Sequence, residues 1–163
     1  MRFLAMIVLG LDPGIARLGY GVLSCERGRE RCITYGVMTT PVGGEVGSRL
    51  LALRNELRAV IDLHAPDRIV VERLFFSKNT STGIVVGAAR GVILLTCAEA
   101  KRSVIEVSPQ EVKQAVTGYG AAGKQQVQRM VQTLLALPEL PQPDDAADAL
   151  AIALAGFRIA GVS

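Results

Sequence analysis

A chain of 163 residues, half of them hydrophobic and 20% charged, is too apolar for intrinsic disorder and leaves little room for a second domain, so one unit spanning 1–163 is expected. Eighteen basic against fifteen acidic residues give a formal charge of +3, which permits nucleic-acid binding without demanding it. A lone histidine, His64, excludes multi-histidine zinc sites, and the spacing of Cys25, Cys32 and Cys97 fits neither a zinc module nor a CxxC redox pair.

Residues 5–12, AMIVLGLD, form a continuous apolar run closed by Asp12-Pro13-Gly14, which predicts a strand buried on both faces. The run imitates a signal peptide briefly but lacks a small-residue cleavage site, so a soluble, cytoplasmic protein with reduced thiols is expected. Residues 19–25 and 32–40 are two more β-rich runs, and ERGRER between them reads as a hairpin tip. That leaves Cys25 and Cys32 as candidates to face each other, with free thiols the simpler reading. Ser48 reads as the N-cap of a helix that sets Leu50, Leu53, Leu57, Val60, Ile61 and His64 at helical spacing and stops at Ala65-Pro66-Asp67. His64, on the apolar side, is read as a semi-buried residue with no catalytic role.

Residues 68–73, RIVVER, predict a short buried strand, and SKNTST offers caps for a helix over 82–101. Gly83, Gly87 and Gly91 lie four apart on one face of that helix, where they would let another backbone approach. Its apolar stretch is too short for a membrane span and carries Arg90. A strand over 103–107 follows, then a helix opened by Ser108-Pro109 and running to about 117, a glycine-rich loop, and a helix over 124–136. LPELPQP, 137–143, breaks the chain before a last helix with Asp144 as its N-cap. Three strands followed by helices alternating with two more predict an α/β fold: a mixed five-stranded sheet, its first three strands antiparallel, flanked by helices on both faces.

Four carboxylates stand where decoration is wasteful. Asp12 ends one buried strand, Glu72 stands near the end of another, and Asp145 and Asp148, three apart in the first turn of the last helix, project from one face. Neighbouring strand ends and a helix packed on them would bring all four together, and carboxylates that close repel unless cations intervene. Oxygen ligands without His or Cys suit Mg²⁺ or Mn²⁺, and two such ions about 4 Å apart activate water and stabilise the leaving oxygen of a phosphodiester. Each acid also has an ordinary reading: Asp12 as a turn former, Glu72 as the partner of Arg73 or another base, and the acids of the last helix as complements of its dipole. Asp144 shares a face with Asp148 and rivals Asp145 as a ligand.

Phe75 and Phe76 flank a polar loop, with Lys78 and Asn79 beyond. One of two adjacent rings must turn from any face that buries the other, and an exposed ring can stack on unpaired bases for about 1–3 kcal/mol; the plainer alternative buries both under the loop. GYGAAGKQ, 118–125, satisfies GxxxxGK but carries Gln125 where a nucleotide-binding loop needs Ser or Thr, and a helical segment precedes it where a strand is required. A flexible loop that meets DNA is the better reading.

GLDPGIARLGYGV, VERLFFSKN, GAARGV, VKQAVTGYGAAGKQQVQRMVQTLLALP and DAADALAIA occur in an order that closely resembles the RuvC family of bacterial Holliday-junction resolvases, from about Met6 to about Phe157. The resemblance implies a ribonuclease H-like fold and a homodimer that acts on four-way DNA junctions in recombination and repair. It also implies a metal-dependent endonuclease making paired nicks in strands of like polarity, with a sequence preference and 5′-phosphate and 3′-hydroxyl products. It sets the catalytic, metal-binding carboxylates at Asp12, Glu72, Asp145 and Asp148, holding two Mg²⁺ per subunit for which Mn²⁺ substitutes; some members carry His where this chain has Asp145. It favours Phe75 as the base-contacting ring, with Lys78 and Asn79 beside it as DNA-binding residues. It sets Lys113 and Lys124 near the scissile strand and brings in the branch-migration proteins RuvA and RuvB as partners. Two bound divalent cations would more than double the formal +3, favouring phosphates. The glycine-bearing helix 82–101 is a candidate dimer interface. Two other readings stay open: a non-catalytic junction-binding protein, and an actin-like ATPase domain, whose first strand also ends in a DxG turn.

Overall fold

The computed structural model describes residues 5–14, 16–26, 28–74 and 80–161, with 80–82 described by backbone alone. Phe75, Lys78 and Asn79 lie outside the described residues. The chain opens with an antiparallel meander of β1 (Met6–Asp12), β2 (Arg17–Glu26) and β3 (Arg29–Thr39). It continues through α1 (Val46–His64), β4 (Arg68–Glu72), α2 (Thr80–Glu99), β5 (Val104–Val107), α3 (Pro109–Thr117), α4 (Lys124–Leu134) and α5 (Asp144–Ala160). The strands form one sheet in the order β3-β2-β1-β4-β5, with β4 parallel to both β1 and β5. This is the mixed five-stranded sheet, antiparallel in its first three strands, that the sequence predicts.

Strand alternation sorts side chains between two cores. Leu9, Leu11, Ile69 and Val71 pack with Leu53, Leu57 and Ile61 of α1 and Ile93 and Cys97 of α2. Val8 and Val70 face the other way, into a core shared with α3, α4 and α5. Burial on both faces is why β1 and β4 read as unbroken apolar runs. By the same alternation Gly10, Asp12 and Glu72 point to the α5 side.

Helix α5 lies directly on the sheet. Every residue from Ala149 to Gly156 is buried, and every second one up to Ala155 is alanine, so the helix axis comes close. A Cβ on Gly10 would lie 2.6 Å from the Ala153 nitrogen, and one on Gly19 would overlap the carbonyl oxygen of Asp145. Only glycine fits at either place.

Several boundaries differ from the sequence expectations. Helix α1 begins at Val46 with Glu45 as N-cap, so Ser48 lies inside its first turn; the Arg49 N–H already donates to the Glu45 carbonyl. Helix α5 takes Pro143 as N-cap and Asp144 as its first residue, because the Pro143 carbonyl accepts from Ala146 and Ala147. Helix α2 spans Thr80–Glu99 rather than 82–101, and Lys101 beyond it turns to φ +55. Helix α4 stops at Leu134, with Ala136 at φ +50. Most of ERGRER belongs to the strands, which pair out to Glu26 and Arg29.

That register sets Cys25 opposite Glu30 and Cys32 opposite Leu23, so the two thiols are not cross-strand partners, and all three cysteines are free. Burial pushes the Cys25 thiol up to about 12 and the Cys32 and Cys97 thiols to about 11, which keeps them protonated. His64 is half-buried at the end of α1. A Cβ on Gly87 or Gly91 of α2 would meet nothing within 4 Å; the close backbone approaches are made to the sheet glycines under α5. Among the described residues no helix is long and apolar enough to cross a membrane.

Candidate active site

Parallel neighbours end on the same side of a sheet. Leu11 of β1 pairs with Val71 of β4, so Asp12 and Glu72, the next residue of each strand, leave the sheet side by side toward α5. On the other flank Asp12 pairs with Gly19 of β2, and Gly19 is the residue that Asp145 overlies. The N-terminus of α5 is thereby seated against the residue beside Asp12. Asp148, one turn along, lines a cleft of about 260 Å³ with Glu72, Lys113 and Lys124. The apolar floor of this cleft comes from Val112, Val127 and Ile152.

Each acid registers its neighbours. Asp12 is pushed up to about 7, first by burial and then by the negative charges of Glu72, Asp148 and Asp145, with Lys124 pulling the other way. Glu72 is raised by burial and by Asp148, against Lys113. Asp148 is raised by burial, with Lys124 opposing and Asp144 and Asp145 adding. Three half-buried carboxylates, each raised by burial and by neighbouring acids, mark a shared site with a deficit of positive charge.

Lys113 and Lys124 partly meet that deficit, and Arg17 meets the charge of Asp145. The Lys124 Nζ stands 3.1 Å from Asp144 Oδ2 and 3.5 Å from Asp148 Oδ2, and its own proton is held more tightly as a result. The Arg17 Nε stands 3.5 Å from Asp145 Oδ2. The two adjacent acids of α5 therefore diverge. Asp144 is exposed, accepts from Lys124 and from the Gln128 amide at 3.1 Å, and is held below the usual carboxylate range by those hydrogen bonds. Asp145 is the one whose charge Asp12 feels.

The donor set is entirely hard oxygen, which suits Mg²⁺ or Mn²⁺ and no softer metal. Among the described residues, no three acidic, histidine or cysteine side chains close around a common point as placed; Lys124 and Arg17 engage two of the carboxylates instead. The chemistry of the donors fits a divalent cation, and holding one requires these side chains to turn inward and Lys124 to leave Asp148.

Lys113 and Lys124 reach the cleft from different helices. Helix α3 is fixed by a capping box in which Glu111 N–H donates to the Ser108 hydroxyl and Ser108 N–H to the Glu111 carboxylate, with Lys113 one turn in. Lys124 is the first residue of α4, after Gly123 as a cap without a side chain. The GxxxxGK segment joins two helices, not a strand to a helix, and so is not a nucleotide-binding loop.

Three contributors escaped the sequence reading. Arg17 was only a charge near a turn. Gly19 was one of many glycines, although GxG in β2 at strand spacing was a signal for a helix lying close. Arg90 of α2 donates to the Glu72 carbonyl at 3.4 Å and to the carboxylate of Glu106, tying α2 to the end of β4; an arginine inside an apolar helix was the available hint.

The family model described as crossover junction endodeoxyribonuclease RuvC matches residues 8–156. The crossover junction endodeoxyribonuclease RuvC of Caldicellulosiruptor saccharolyticus is 51% identical over 150 residues, 91% of this chain and 90% of that one. That of Chloroflexus aurantiacus is 52% identical over 149 residues, 91% of each. The structure of Thermus thermophilus RuvC in complex with Holliday junction substrate superimposes with a TM-score of 0.92 at 35% identity over 96% of both chains. The yeast mitochondrial Holliday junction resolvase Ydc2, at 16% identity and a TM-score of 0.69, shares the fold.

Proposed function

The chain belongs to the RuvC family of crossover junction endodeoxyribonucleases, and from that premise we propose that it resolves four-way DNA junctions by hydrolysing a phosphodiester in each of two strands of like polarity. The observation that carries this reading is the convergence of Asp12, Glu72 and Asp148 into one half-buried group of like charges, with Asp145 seated beside it. Asp12, Glu72, Asp145 and Asp148 would hold Mg²⁺, with Mn²⁺ as substitute. Such ions supply an activated water and stabilise the leaving oxygen. The protein's own part is to keep Asp12, Glu72 and Asp148 partly shielded from water, where ionisation is costly until positive charge arrives. Lys124 neutralises Asp144 and Asp148 meanwhile, and once displaced it is free for a phosphate of the cut strand. Lys113, beside Glu72, offers a second positive charge to the same strand.

A four-way junction presents two equivalent strands, and a two-fold dimer matches that symmetry. Ile84, Gly87, Gly91 and Leu95 form a stripe on α2, with Ile84 and Leu95 exposed and the space over the glycines open. This stripe supports a homodimer formed through α2. RuvA and RuvB enter as partners through the family alone.

The test compares a labelled four-way junction with plain duplex, with and without Mg²⁺ or Mn²⁺. Junction-selective, cation-dependent nicking is expected. Junction binding indifferent to cations and without scission would instead mean a binding protein, and ATP turnover without DNA would mean an ATPase.

A further inference from the structure

We propose that Tyr119 and the groove beneath it form a second DNA subsite, which receives the strand running on from the scissile phosphate. The proposal rests on the nuclease reading above and deepens it.

The groove lies between α3 and the loop that follows it. Its volume is about 750 Å³, larger than the carboxylate cleft, and its walls include Ser108, Gln110, Gln114 and Tyr119. Pro109 and Lys113 line both spaces, so the two adjoin. No carboxylate lines the groove, and Lys113 stands at the junction of the two. A strand whose phosphate sits in the cleft has a path here that meets amides, a hydroxyl and a lysine, and no negative charge.

Tyr119 is 60% exposed, while Tyr20, Tyr35 and Phe157 are half-buried against the cores. Among the described aromatic residues it alone presents its ring to solvent. The loop that carries it is firmly tied. Gly118, at φ +76, caps α3 and donates to the Gln114 carbonyl. The Gln114 amide donates back to the Gly118 carbonyl at 3.0 Å. Tyr119 N–H donates to the Thr117 hydroxyl at 3.1 Å, and that hydroxyl bonds the Lys113 carbonyl at 2.8 Å. The Tyr119 carbonyl accepts from Ala122 N–H at 3.1 Å. A Cβ on Gly120 would lie 3.1 Å from Gln110 Cγ, so the loop sits tight on α3. The loop is thus not the flexible one that its glycines suggest. An exposed ring on a backbone already ordered loses little freedom on binding, and a π-face accepts any base or sugar.

Steady-state nicking of a labelled junction in Mg²⁺ tests this. Tyr119→Ala should raise KM about tenfold while kcat changes little, within the range seen when one stacked base is lost. Tyr119→Phe, which keeps the ring, should bring KM back. Placing p-benzoylphenylalanine at position 119 should give a light-dependent cross-link to nucleotides flanking the nick, which a merely structural role would not produce. An unchanged KM in Tyr119→Ala, or cross-links far from the nick, would overturn the subsite. Failure of the unaltered protein to nick any junction would sink the nuclease reading instead. Should Tyr119→Ala unfold, the cross-link and a Gln110→Glu variant, expected to raise KM by placing negative charge in the groove, still decide.

Discussion

Gly19 of β2 lies so close to the carbonyl oxygen of Asp145 that no Cβ fits between them. A hydrogen atom in place of a methyl group therefore sets the height at which the first turn of α5 rides over Asp12. Gly19→Ala forces the helix terminus away from the sheet, at a cost of about 1–3 kcal/mol as for other overpacked sites. Junction nicking should fall far more than this stability loss explains, because Asp145 and Asp148 move with the helix. Urea unfolding and nicking rates on the same preparation check it; full activity in Gly19→Ala would show that the helix can shift without disturbing the site.

Asp12 holds its proton to about pH 7 in the fold against an ordinary value of 3.8. Between those values the folded chain binds more protons than the unfolded one, so stability without divalent cations falls as pH rises through this window, by up to about 1.4 kcal/mol per pH unit from this group. Glu72 and Asp148 act with the same sign. Asp12→Asn is neutral throughout and should flatten the dependence and unfold later than the parent at pH 7 to 8. Added Mg²⁺, which favours the ionised acids, should raise the parent's melting temperature most at the alkaline end. Identical pH profiles for parent and Asp12→Asn in chelator would contradict the cluster.

Asp144 and Asp145 are adjacent in sequence and differ in surroundings. Asp144 is exposed and tied to Lys124 and Gln128, whereas Asp145 sits over Gly19 and within reach of Asp12's charge. Asp145→Asn and Asp148→Asn should each lose nicking by more than the 10–100-fold that outer partners of a metal site cost, with junction binding retained. Asp144→Asn should stay within several-fold of the parent. Parallel gel-shift and nicking assays separate the two; a reversed order for Asp144 and Asp145 would exchange their roles.

The sheet was legible because β1 and β4 are apolar without interruption and the later strands are punctuated by caps and prolines. Strand ends and helix starts of this kind also let Asp12, Glu72, Asp145 and Asp148 be named before any coordinates. What could not be read was distance. Gly10 and Gly19 under an alanine-rich helix are the cause of the convergence, but their effect depends on a partner more than a hundred residues away. The glycines of α2 are more conspicuous in the sequence, although among the described residues nothing lies within 4 Å of a Cβ at Gly87 or Gly91. The Lys124 pair with Asp148 was equally hidden, since a lysine opening a helix is usually solvated.

The open stripe on α2 bears on symmetry. Leu95 and Ile84 are exposed on either side of Gly87 and Gly91, and an apolar stripe with room for a neighbour suits a second copy of the helix. If the proposed dimer forms through α2, Leu95→Glu should convert it to a monomer by light scattering. Its nicking should then fall from paired cuts to single, uncoordinated ones on a junction held in a supercoiled plasmid. Retention of the dimer would move the interface elsewhere.

Phe75 stands three residues beyond Glu72 and one before a second phenylalanine. The family resemblance implies a base-contacting ring at this position, an expectation that Phe75→Ala tests. If that expectation holds, Phe75→Ala removes stacking worth about 1–3 kcal/mol per base without deleting any of the four carboxylates. Cation affinity, followed by calorimetry with Mn²⁺, should be unchanged while nicking of an intact junction falls roughly tenfold or more. A junction with unpaired bases already built in at the exchange point should recover much of the loss, because the ring's contribution is then supplied by the substrate. Undiminished nicking of the fully paired junction by Phe75→Ala would remove the stacking role, and a parallel loss of Mn²⁺ binding would recast Phe75 as a support for Glu72.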